Sequence, residues 1–264
     1  MVRIVQLASR LNQNHIVITA DLAIYSKARE ILWNNPPELA GRVTLQLGGI
    51  YLTMAFIANI GYIFGDGGLT SILVKADIFA ENSCRLMLKG KQYSRAIRGL
   101  TLAADAISRL LYDILANWYE ENKRETFIND DVKHLMNSII SMMRKSKIDE
   151  NNFKNIITKI EDYDQITTEF INSGCTSTVT FKYWYFFLET IDLLWRMLHA
   201  ETDGDFYFHL AAVHDVLPYL SAAGRNLYLK WVSVYLSDME ELKHQIPYMY
   251  DFLASGNFVV KKTN

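Results

Sequence analysis

The sequence predicts a predominantly α protein with a small α/β part, and three observations carry that expectation. Among its 264 residues Pro is scarce at 4 and Gly at 13, which argues against a many-turned all-β fold. One short strand–helix–strand rhythm opens the chain, and the pattern after Gly67-Gly68 is helical almost to the end. Half the residues are hydrophobic and 21% charged, the balance of a chain that buries a core without disulfide staples.

The elements follow in order. His15–Ala20 is a β-branched run of strand length. It ends at Asp21, a residue suited to cap the helix that Ile24, Tyr25, Ala28, Ile31 and Leu32 mark by their spacing. Asn34-Asn35-Pro36-Pro37 stops that helix, and Val43–Leu47 reads as a second strand, parallel to the first. The stretch Val43–Gly65 holds 23 uncharged residues, and about 20 suffice to cross a bilayer. Gly48-Gly49 interrupts it, however, so it reads as strand, turn and a buried helix Ile50–Phe64 rather than a membrane span. Residues 1–68 are thus a βαβ-type part, and 69–257 a helical region.

Within that region Leu69–Leu88 and Gln92–Trp118 read as long helices. Residues 120–174 read as a helical hairpin or insertion that stops at Gly174. Phe181–Leu198 is apolar almost all round and is expected to be buried throughout, with Asp192 and Arg196 paired on its polar edge. His209–Ala222, Asn226–Lys243 and Pro247–Leu253 are further helices. Phe258-Val259-Val260, in the tail 258–264, suggests a return strand.

Charge and cysteine narrow the function classes. Lys plus Arg is 27 against 29 acids, a formal charge of −2, which excludes a globally basic nucleic-acid binder but not a local patch. Arg85, Lys89, Lys91, Arg95 and Arg98 supply such a patch, with no acid between Asn82 and Ala104. Lys91, Arg95 and Arg98 are expected on one helical face, and DNA is the expected partner. Cys84 and Cys175 are too few and too far apart for a disulfide framework or zinc knuckle. The N-terminus does not read as a signal peptide, so an intracellular location, nuclear or cytoplasmic, is expected.

Asp203, Asp205, His209, His214 and Asp215 crowd together, but His209 and His214 are five apart, not the four that sets two ligands on one helical face, and Asp203-Gly204-Asp205 reads as a solvated turn. Asp66 in the glycine turn and Asp77 in a helix read as structural. Asp21 is the one acid with two readings, a helix cap or a site carboxylate at the tip of a strand.

Four segments in order carry a resemblance. They are Ile18–Ala28, with Asp21 and Ile24-Tyr25; Leu47-Gly48-Gly49-Ile50-Tyr51-Leu52-Thr53-Met54; Leu217–Tyr228, with Gly224-Arg225-Asn226; and Gly256–Asn264. Together they resemble a set of uncharacterised animal proteins multiplied by mobile elements, some found beside a cysteine-rich, tesmin-like CXC domain. These look like transposases with a ribonuclease-H-like core interrupted by helices. The resemblance implies a partial core in residues 1–68 and a site role for Asp21. It also implies an upstream Asp-Asn segment and a downstream Ile-Glu-Gln segment, which this sequence lacks, and a His where Tyr51 stands. The expectation is therefore a fragment or decayed copy, non-catalytic alone. Mg²⁺ or Mn²⁺ would bind only if acids from elsewhere completed the site, because two-metal chemistry needs several oxygen ligands. The competing expectation is a helical protein-interaction module.

Overall fold

A computed structural model of the chain describes residues 1–34, 39, 41–123 and 150–259. The expected class is the observed one: the described residues are predominantly helical, with one two-stranded parallel sheet among them. The chain divides into two units, residues 1–103 with 189–264, and residues 104–188.

The first unit holds the sheet. Strands β1 (Ile16–Ala20) and β2 (Val43–Leu47) pair in parallel, Ile16 opposite Val43 and Ala20 opposite Leu47. His15 fixes the start of the pair, its ring nitrogens lying 3.1 Å from the Gly41 carbonyl oxygen and 2.7 Å from Thr44 Oγ1. Gln46, a buried polar residue inside β2, is satisfied at both ends of its amide. Its Nε2 donates to the Phe258 carbonyl at 2.8 Å, and its Oε1 accepts from Thr19 Oγ1 at 3.1 Å. The Phe258 carbonyl thus meets a side chain rather than a strand ladder, and 257–259 form no strand; residues 260–264 lie outside the described residues.

Helix α1 (Val2–Arg10), not anticipated from the sequence, precedes the sheet and buries only Val5 and Ala8. Helix α2 (Leu22–Trp33) joins the strands and buries Leu22, Tyr25 and Ala28. Helix α3 (Gly49–Phe64) starts after Gly48 and buries Leu52, Thr53, Phe56, Ile57, Asn59, Ile60 and Phe64. The stretch Gly49–Lys75 has the length and apolar character of a membrane span, yet those seven side chains are enclosed by protein and the backbone turns at Gly68 (φ 121°).

The expected single helix Leu69–Leu88 is two short ones, α4 (Thr70–Lys75) and α5 (Glu81–Met87). Asp77, expected inside a helix, breaks it with a left-handed backbone (φ 51°), which Asp tolerates better than most residues. The turn after α5 lies directly on α3. A Cβ on Gly61 would stand 2.0 Å from the Leu88 carbonyl oxygen, and one on Gly90 (φ 73°) 2.2 Å from that of Met54.

Helix α6 (Tyr93–Lys123) and helix α8 (Val179–Asp203) each belong partly to both units. In the first unit Trp195 Nε1 donates to Thr101 Oγ1 at 3.2 Å, and Arg196 binds Asp192 at 3.1 Å, as expected, and also Asp215 at 2.9 Å. The expected helix His209–Ala222 is divided, as α9 (Phe206–Asp215) and α10 (Leu217–Ala222), with Pro218 in the first turn of the second. Helices α11 (Asn226–Gln245) and α12 (Pro247–Phe252) complete this unit.

The second unit comprises parts of α6 and α8 with α7 (Glu150–Ser177). Buried Phe170 touches Trp118 (5.6 Å between centroids) and Phe181 (5.3 Å). Residues 124–149, nearly half of the expected 120–174 hairpin, lie outside the described residues. Gly174 does not stop α7, which runs through it. A Cβ there would stand 2.5 Å from the Phe181 ring, so the glycine makes room for an aromatic. Phe181–Leu198 is buried at Phe187, Thr190, Ile191, Leu193, Leu194 and Met197, but its first turns are largely half-exposed and Asp192 is exposed, contrary to expectation.

Candidate functional site

Two places in the first unit concentrate the residues that could carry function. One is the carboxyl end of the sheet. Asp21 leaves β1 in extended backbone (φ −66°, ψ 168°), and its Oδ1 accepts from the Ile24 amide at 2.8 Å. The carboxylate is a helix cap. Next to it Gly48 N donates to the Ala20 carbonyl at 2.8 Å, which brings the two strand ends together.

Glu201, from the last turn of α8, reaches this end of the sheet. A Cβ built on Gly49 would fall 1.3 Å from Glu201 Oε1, so the carboxylate occupies the space a side chain at 49 would need. Burial raises its pKa to about 7. His209 Nδ1 stands 3.9 Å from Oε1, and His209 Nε2 is 3.2 Å from the Tyr235 hydroxyl. Burial lowers the imidazole to about 4, so this pair is two groups held toward neutrality and not an ion pair.

The other acids of the 203–215 segment are dispersed. Asp205 caps α9 through the Phe208 amide at 2.9 Å, and Asp215 holds Arg196. Among the described residues no three His, Cys, Asp or Glu side chains converge in a metal-holding group.

The second place is a groove of about 650 Å³. Helix α3 contributes Ala58, Gly61 and Tyr62 to its lining, and Gly65 follows at the end of the helix. Asp66 and Thr70 follow, and Glu81, Arg85, Leu88 and Lys89 line the α5 side. Arg225 completes it from the turn between α10 and α11. Left-handed Gly224 (φ 64°) ends α10, and the Arg225 amide closes the turn on the Leu220 carbonyl at 2.8 Å. The Arg225 Nε then donates to Asn59 Oδ1 at 3.2 Å. Asn59 is fully buried, and its own Nδ2 has no hydrogen-bond partner among the described residues.

Over residues 1–264 the chain matches the model of a domain of unknown function, DUF8702. It belongs to that family. No curated protein and no solved structure matches it.

In this family member the basic patch expected from the sequence is divided. Arg85 and Lys89 line the groove, whereas Lys91, Arg95 and Arg98 do not. Lys91 precedes α6 and so shares no helical face with Arg95 and Arg98. All five are exposed. Arg85 pairs with Glu81 at 3.0 Å, and Arg95 reaches Gln92 at 3.4 Å. The Lys89 side chain has no hydrogen-bond or ion-pair partner among the described residues, and the Arg225 side chain hydrogen-bonds only Asn59 among them. Lys89 and Arg225 thus line the groove with no ion pair among the described residues, in a lining that also holds the acids Asp66 and Glu81. Arg225 and Glu201 are the residues sequence reading missed as site candidates. Gly224-Arg225, a helix-ending glycine followed by a charged side chain, was the available signal for the first.

Proposed function

We propose that this chain binds nucleic-acid backbones without reading sequence, that it shares descent with transposase-like mobile-element proteins, and that alone it breaks no phosphodiester. One observation carries the binding: Lys89 and Arg225 face one groove without acidic partners, beside the paired Arg85. An ammonium meets phosphate as a point charge, and a guanidinium fork meets it bidentately. With a formal charge of −2 the whole chain gives no long-range attraction, so affinity is local and modest.

The descent is supported by the order of the resembling segments, with Asp21 ending the first strand and Gly48-Gly49 following the second. The lack of chemistry follows from ligand supply. Two metal ions need their own oxygen ligands and a shared one, and Asp21 already accepts the Ile24 amide.

Fluorescence anisotropy with labelled DNA tests the binding between 20 and 200 mM salt. Binding that weakens with a slope near −2 to −3 in log–log form is expected, about one unit per phosphate contact. Absence of binding at the lowest salt sinks the proposal.

A further inference from the structure

Resting on that nucleic-acid reading, we infer that the groove takes an unpaired nucleotide of a single strand, with Tyr62 stacking on the base and Arg225 and Lys89 holding the flanking phosphates.

Tyr62 is the observation that duplex binding leaves unexplained. Its ring is 70% exposed on α3 and lines the groove with Ala58 and Gly61 of the same helix, residues with little or no side chain. The exposed ring and the two cations line the same groove, so a base can lie on the ring while its phosphates reach the charges. Every base has a π-face, so such a platform is sequence-tolerant, and it works beside cations that track the phosphates.

Arg225 is built for the second half of the task. Asn59 takes its Nε–H and fixes the guanidinium plane, leaving both terminal nitrogens without a partner among the described residues. The buried amide of Asn59 makes no other side-chain hydrogen bond, so orienting Arg225 is its visible role. Lys89, in the same groove lining, supplies the second charge. The groove, about 650 Å³, is of the size that encloses a small ligand and not a double helix.

The test uses the full chain with a labelled single-stranded DNA twelve-mer, an RNA of the same sequence, and the corresponding duplex. The single strands should bind more tightly than the duplex. Tyr62→Ala should weaken single-strand binding about fivefold or more and leave duplex binding unchanged, and Tyr62→Phe should restore it. The exposed position makes misfolding of these variants an unneeded explanation, and circular dichroism checks it. Equal binding of strand and duplex, or equal loss of both in Tyr62→Ala, overturns the inference while leaving backbone binding in place. No binding of any nucleic acid overturns both. Equal competition by free thymidine monophosphate, at the same nucleotide concentration, overturns the strand as the source.

Discussion

Glu201 and Gly49 exclude one another: the carboxylate of the first fills the place where a side chain on the second would begin. The atom in the way is the tip of a flexible side chain. At Gly61 the obstacle is different, a backbone carbonyl of the 88–90 turn. Gly61→Ala should therefore destabilise the fold by about 1–3 kcal/mol even though Ala favours helix over Gly. Gly49→Ala should cost less than about 1 kcal/mol, because Glu201 can swing aside. Urea unfolding of the two variants checks the order, and a neutral Gly61→Ala would contradict the packing.

Glu201 and His209 have opposite effects on pH stability. Glu201 has a folded pKa of about 7, above its unfolded value. Its contribution is present below about 4.5 and is lost as pH rises toward 7. His209 has a folded pKa of about 4, below its unfolded value. Its contribution is present above about 6.5 and is lost as pH falls toward 4. Between pH 4.5 and 6.5 the folded state keeps a proton on one group and gives one up on the other, so the two nearly cancel. Glu201→Gln should unmask His209, and stability should then rise with pH by up to about 1.4 kcal/mol per unit relative to wild type. Denaturation midpoints at pH 4.5, 5.5 and 6.5 measure this. Parallel pH profiles for variant and wild type would show the assignment wrong.

Asp238 on α11 ties down two residues of α2. It accepts from the Tyr25 hydroxyl at 2.9 Å and pairs with Arg29, whose guanidinium lies 5.5 Å from the Trp33 ring centroid. Tyr25 is fully buried, and Trp33 stacks on Trp231 at 5.5 Å. Asp238→Ala leaves a phenol and a partly buried cation unpaired. Its expected cost is about 3 kcal/mol, read from thermal or urea melting. A change below about 1 kcal/mol would mean that this cluster is only superficially ordered.

The sheet and its first helix were legible because their cues are local: β-branched runs, a capping Asp, a Pro-Pro stop. The break at Asp77 was not, since a left-handed Asp within an apolar period leaves no mark in the sequence. Gly174 misled for the converse reason, as a helix can carry a glycine through when a neighbouring ring needs the space. The groove was half legible. Arg85 and Lys89 are close in sequence, but Arg225 joins them only through the fold, and Glu201 reaches Gly49 in the same way.

Asp21→Ala should lower stability by about 1 kcal/mol, the usual effect of losing a cap, and Asp21→Asn should be nearly neutral. Neither should matter to chemistry, because the wild-type chain is expected to give no nicking or strand transfer with Mn²⁺. Supercoiled-plasmid relaxation followed on gels checks this. Metal-dependent cleavage that vanishes in Asp21→Asn would show that acids assigned here to structure complete a site.

The groove itself is tested most directly by the salt dependence of DNA binding in wild type and in Lys89→Glu/Arg225→Glu. Each cation that meets a phosphate contributes about one unit to the slope. The double variant should bind at least tenfold more weakly at low salt, with a slope shallower by about two, while Arg95→Glu/Arg98→Glu should change binding little. An unchanged slope in the first variant, or a larger loss in the second, would contradict the account and move the interface to the start of α6.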